Sequence, residues 1–192
     1  MNAINETEQY AKQFPETVEV QRWNKGKNEF EPCFLHRFTN NTNWESDLPS
    51  VTNLLNEQKI HDVFFPKAPL GGLTQSAAEK YLIDASQPYI TRYVIQDGSN
   101  KIVGFLNIKP TKEPDIISIG YMASEKFRGV MTNTVLKIID ICRGLGYRKI
   151  VADCLASNSD SVHVLERAHF TQLPNTIDDK GRTFLNFEFL IF

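Results

Sequence analysis

Between residues 116 and 155 the spacing of apolar residues changes twice, and that change restricts the fold more than any other stretch of the chain. "DIISIGYMAS" reads as a strand. From Thr132 onward Val135, Ile138, Ile139 and Cys142 recur on one face at the helical period, with Gly144 or Gly146 placed to end the helix. The strand "RKIVADCLA" follows at once. Strand, tight turn, helix and strand in this order make a βα unit, and the turn carries Arg128 and Gly129 directly before the helix. A helix start offers unpaired N–H groups and the positive end of a dipole, so this turn suits an anion. An ordinary surface arginine beside a helix start is the competing reading. No GK[ST] follows and no GxGxxG occurs, which excludes a Walker loop and a dinucleotide fingerprint.

The rest of the chain supplies strands and helices in a different order. "YITRYVIQ" and "KIVGFLNIK" flank "DGSN", a hairpin signal because Asp-Gly tolerates the positive φ of such turns. Upstream, "CFLHRF" reads as a first core strand and "LPSVTNLLNEQ" as a helix capped from "TNNTNWESD". "FFPKAPLGG" is a loop, and Thr74 caps a helix over "QSAAEKYLIDAS". Downstream, "NSDSVHVLERAH" is helical and "GRTFLNFEFLIF" alternates as a long final strand. The class is α+β, with βα units confined to the second half. Residues 1–32 form a polar extension with an edge hairpin around "NKGKN", and residues 33–192 a single domain.

Composition narrows the function. With 21 Lys+Arg against 23 Asp+Glu, no overall basic field points to nucleic acid or an anionic membrane. Cys33, Cys142 and Cys154 are isolated, odd in number and without CxxC spacing, so they form neither a disulfide framework nor a metal site. They fit a reducing cytosol, and Cys142 and Cys154 fall at core positions. The first ten residues lack the basic and apolar regions of a signal peptide, and no apolar run reaches membrane-spanning length. The reading is a cytoplasmic protein without metal.

Other residues carry chemistry only in combination. Asn158 and Ser161 sit where a helix begins; taken alone they read as its cap, the competing reading being that both face a ligand at the C-terminal edge of the sheet. His163 has no metal-ligand spacing to His169, His36 or His61. Trp44, Phe64 and Phe65 either line a substrate pocket or pack beneath the Pro/Gly loop.

Together, "IGYMASEKFRGVMTNTVLKIIDICRGLGYRKIVADCLASNSDSVHVLERAHF" resembles the acetyl-CoA-binding core of the GNAT N-acetyltransferases, in particular their ribosomal-protein (RimJ/RimL-like) branch. That branch reads IGYxV, then RGxGxA with a long helix, then a strand, then NxxSxxVLEKxGF. Ile119, Gly120 and Tyr121 match the first piece, Arg128 and Gly129 the second, and Asn158, Ser161, Val164, Leu165, Glu166 and Phe170 the third. The resemblance implies a mixed, splayed sheet flanked by helices on both faces, with pantetheine held where two strands part.

It also implies roles. Backbone groups of Tyr121, Met122, Ala123 and Glu125 would meet pantetheine, and donors at Met122 and Ala123 would stabilise an oxyanion. The N–H groups of Arg128, Gly129, Val130, Met131, Thr132, Asn133 and Thr134 would meet the pyrophosphate, and Asn158 would contact the cofactor. Ser161 would protonate the departing thiolate. A glutamate just before IGY serves many relatives as base; Ser118 stands there, which leaves Asp115, Glu113 or a water relay. Met131 replaces the second glycine of RGxGxA, and methionine fits only with negative φ and its side chain turned away. His169 replaces the glycine before Phe170, at a helix end where left-handed backbone is common.

The expected activity is acetyl transfer from acetyl-CoA to a primary amine, such as a protein N-terminus or a small amine, by a monomer or homodimer. The rival is a catalytically weak CoA-binding sensor of the same fold, suggested by Met131, Asn133 and Ser118.

Overall fold

A computed structural model describes residues 13–38, 45–85 and 90–192, among which there are eight strands and five α-helices. In chain order they are β1 (Thr17–Asn24), β2 (Glu29–Arg37), α1 (Leu48–Leu55), α2 (Gln58–Phe64), α3 (Gln75–Ala85), β3 (Thr91–Gln96), β4 (Ile102–Pro110) and β5 (Ile116–Ala123). Then come α4 (Val130–Gly144), β6 (Lys149–Leu155), α5 (Ser159–Arg167), β7 (Thr171–Ile177) and β8 (Thr183–Leu190). The strands form one mixed sheet in the order β1-β2-β3-β4-β5-β6-β8-β7, the α+β class expected.

The chain divides into two compact units. The first takes residues up to 107 together with 121–130. In it β1 and β2 pair antiparallel from Thr17↔His36 to Asn24↔Glu29, a hairpin at the edge of the sheet with Asn28 at φ 55 in its turn. The hairpin is built into the sheet: Val18, Val20, Cys33 and Leu35 alternate inward and are buried, and β2 runs across the boundary expected at residue 32. Helix α1 packs on α3, and Val51, Leu54, Leu55, Ala78, Leu82 and Phe105 share one buried cluster.

The apolar stretch from residue 48 is two helices, not one. Glu57, extended at ψ 133, breaks it, and α2 continues into the stretch read as loop. Asp47 occupies the α1 N-cap without a side-chain cap hydrogen bond, whereas Thr74 caps α3 as expected, its Oγ1 3.3 Å from Ala77 N. In the β3–β4 turn the positive φ falls on Asn100 (63°) and not on Gly98, because the Asp97 carboxylate accepts the N–H groups of Ser99 and Lys101.

The second unit takes residues 108–120 and 131–192. Strands β5 and β6 pair in parallel from Ile116↔Lys149 to Ile119↔Ala152. The described ladder ends there, although β5 continues to Ala123 and β6 to Leu155. Strand β8 runs antiparallel to β6, and β7 forms the far edge, where Pro174 is tolerated beside a shift in register. Val135, Ile138 and Cys142 give α4 a fully buried face. His169 adopts φ 63, the left-handed geometry anticipated after α5.

Candidate active site

The end of β5 is fixed by close backbone approach. A Cβ on Gly104 of β4 would lie 2.6 Å from the Met122 carbonyl oxygen and 3.2 Å from the Ala123 Cα, so only glycine lets this part of β4 pass β5 so closely. Ser124 N–H then donates to the Val103 carbonyl at 2.8 Å. The Ser124 hydroxyl oxygen accepts Lys126 N–H at 3.3 Å and so caps a short 3₁₀ turn, Glu125–Phe127.

The turn is gripped by a residue that sequence reasoning missed. The Glu57 carboxylate accepts the Ser124 hydroxyl at 2.6 Å and Glu125 N–H at 2.8 Å, and Lys59 lies 3.8 Å from the Glu125 carboxylate. The Glu125 N–H expected to meet pantetheine is therefore already spent. Nothing local signals Glu57: it stands between two helices, and its partners are 67 and 68 positions away.

After the turn, Arg128 and Gly129 are exposed, and Gly129 takes φ 91, a backbone state that side chains rarely tolerate. Helix α4 starts one residue later, with no acidic residue in its first turn. Met131 is thus helical and its side chain is buried at 5% exposure, so both conditions for a methionine here are met. Val130 is fully buried, Thr132 and Asn133 are half-buried, and Thr134 is fully buried. The Thr134 Oγ1 finds no partner among the described residues, so this hydroxyl faces inward and not an anion outside. Tyr121 and Ala123 are half-buried and Met122 is buried.

In the second unit Asn158 Oδ1 accepts Ser161 N–H at 3.3 Å, so Asn158 is the N-cap of α5 and Ser161 lies half-buried in its first turn. Asp115 belongs to the same unit and stands at the start of β5. It precedes the first residue of that strand, and its carboxylate pairs with Arg148, which also holds Glu113. All three side chains are exposed, so this is a surface ion-pair network.

The aromatic residues divide. Phe64 is exposed at 46%, whereas Phe65 packs edge-to-face on Tyr81, ring centroids 6.1 Å apart, against the buried cluster of the first unit. Trp44 lies outside the described residues. Among the described residues no group of His, Cys, Asp and Glu is arranged to hold a metal, and no helix is long and apolar enough to cross a membrane.

All three cysteines are free and buried. Burial raises each thiol, pushing Cys142 up to about 12, so none is a thiolate near neutrality. An aromatic disulfide reagent is expected to leave the native protein unlabelled at pH 8 and to label three thiols on denaturation. Rapid labelling of the native chain would contradict this burial.

The model of the family described as "Acetyltransferase (GNAT) domain" matches residues 42–171. Comparison with curated protein sequences returned no match. Among solved structures, a GNAT-family acetyltransferase from Bacillus anthracis is similar at TM-score 0.69 and 13% identity, over 90% of this chain and 98% of that one. RimJ from Mycobacterium smegmatis, in complex with CoA-disulfide, is similar at TM-score 0.69 and 17% identity, over 93% and 88%. Spermidine N-acetyltransferase from Vibrio cholerae, in complex with CoA and spermine, is similar at TM-score 0.63 and 14% identity, over 83% and 95%.

Proposed function

Because the chain belongs to the acetyltransferase (GNAT) family, we propose that it transfers an acetyl group from acetyl-CoA to a primary amine by direct attack. The observation that carries the reading is the turn at the end of β5. A braced segment at 124–127 delivers a left-handed Gly129 into a helix whose first turn has no carboxylate, next to an exposed Arg128. That donor set fits a pyrophosphate: the first N–H groups of a helix lack intrahelical acceptors, and the first turn itself holds no carboxylate to compete with the ligand.

In this reading Arg128, Gly129, Val130, Met131 and Thr132 bind through backbone N–H groups, with Arg128 adding charge and Asn133 its side-chain amide, while Thr134 contributes no side-chain donor. Tyr121, Met122 and Ala123 bind pantetheine, and Asn158 adds a polar contact beyond its cap. When bound, acetyl-CoA supplies an activated acetyl thioester. The chain's part is to present a neutral amine and to manage two protons. The ammonium must lose one before attack, and with Asp115 and Glu113 held by Arg148 it leaves through water. The second leaves the nitrogen as the C–N bond forms, and the Ser161 hydroxyl would relay it to the CoA sulfur as the C–S bond breaks.

The test is acetyl-CoA with a panel comprising a polyamine, an amino sugar and a peptide with a free N-terminus, followed by thiol release and product mass. Acetylation of any of them supports the enzyme. Binding without turnover on any amine supports the sensor reading, which the pairing of Asp115 favours. Ser161→Ala is expected to lower kcat by about 10²-fold, the lower range for general acid–base catalysis, with unchanged affinity for acetyl-CoA. An unaltered kcat would remove Ser161 as the acid.

A further inference from the structure

The matched family region begins at residue 42 and leaves out the β1–β2 hairpin, yet this hairpin touches the turn that leads into α4. Arg22 of β1 is 8% exposed. Its guanidinium carbon lies 4.2 Å from the centroid of the Phe127 ring, and Nη1 approaches the Lys126 carbonyl oxygen within 3.5 Å. Nη2 donates to Glu31 at 3.0 Å, and Lys27 holds the other Glu31 oxygen at 2.7 Å. The next residue contributes backbone: the Trp23 carbonyl oxygen would be 3.9 Å from a Cβ on Gly129. Two consecutive residues of an edge strand thus line the segment from Lys126 to Gly129.

We propose that Arg22 is a positioning residue for acetyl-CoA binding, and that the hairpin is a working part of the cofactor site. The proposal rests on the reading of that turn given above. The chemistry requires arginine. A planar guanidinium can lie on the Phe127 ring while two of its nitrogens reach Lys126 and Glu31; a lysine ammonium can satisfy the carboxylate but cannot stack. With the stack in place, Phe127 cannot swing away, and the backbone that follows enters Gly129 from one fixed direction. Glu31 neutralises the buried charge, which explains how the cation is tolerated where it lies.

The experiment compares wild type, Arg22→Met, Arg22→Lys and Phe127→Leu by acetyl-CoA titration, by KM for acetyl-CoA against KM for the amine, and by amide hydrogen exchange without ligand. Arg22→Met is expected to weaken acetyl-CoA about tenfold, the size of a desolvated cation–π contact, and to leave the amine KM unchanged. Exchange should quicken at residues 124–130 in both Arg22→Met and Phe127→Leu, and Arg22→Lys should not restore it. Unchanged exchange and affinity in folded Arg22→Met would overturn the proposal, as would full recovery by lysine. If Arg22→Met does not fold, Phe127→Leu tests the same contact from its other side. If wild type fails to bind acetyl-CoA, the functional reading falls, and hydrogen exchange alone still decides whether Arg22 holds the turn.

Discussion

Alanine at position 104 is expected to cost about 2–3 kcal/mol of stability and to weaken acetyl-CoA binding at the same time. A methyl group there would stand 2.6 Å from the Met122 carbonyl oxygen, 3.2 Å from the Ala123 Cα and 3.3 Å from its Cβ, and the two closest are backbone atoms that have no rotamer to give way. Inserting a methyl into a packed site of this kind costs roughly 1–3 kcal/mol, and here relief requires β4 and the end of β5 to separate. Separation would pull on the Ser124 N–H bond to Val103 and on the Glu57 grip beyond it. Urea unfolding and an acetyl-CoA titration on the same variant measure both effects. Wild-type stability and affinity would mean that the strands are not held this close.

Glycine at position 131 is expected to destabilise the protein by about 3 kcal/mol or more without tightening its hold on acetyl-CoA. From sequence, Met131 looked like an obstacle where relatives have glycine. In the structure it is the second residue of α4 with its side chain 5% exposed, and the positive φ belongs to Gly129. Truncating a buried methionine to alanine costs about 2–5 kcal/mol, and glycine in place of alanine inside a helix adds about 1 kcal/mol. Thermal unfolding and the same titration check it. Tighter binding at undiminished stability would show that Met131 does crowd the ligand.

What could be read in advance follows from the range of the interactions involved. Helix α4, β5, β6 and the β3–β4 hairpin were legible because apolar period and turn chemistry are local. So was the left-handed backbone at His169, where a helix end demands it. The Asn158 cap was legible for the same reason. Glu57 was not, because its importance comes from Ser124 and Glu125, far along the chain. Arg22 was not, since a polar residue in an alternating extension gives no hint that Phe127 lies beneath it. Nor was the pairing of Asp115: closeness in sequence to the IGY strand suggested a base, and nothing local signals that Arg148, 33 positions on, meets its carboxylate. The break between α1 and α2 escaped because the apolar spacing runs through it, and only the extended backbone of Glu57 marks the corner.

Direct titration of the wild-type protein with acetyl-CoA tests the account most directly, because every role proposed for residues 121–134, 158 and 161 depends on that complex. Saturable binding is predicted, accompanied by a rise in unfolding temperature that grows with ligand concentration, as mass action requires of a ligand selective for the folded state. Arg128→Ala should weaken it. An absence of binding heat and of any thermal shift at millimolar acetyl-CoA would contradict the enzyme and sensor readings together.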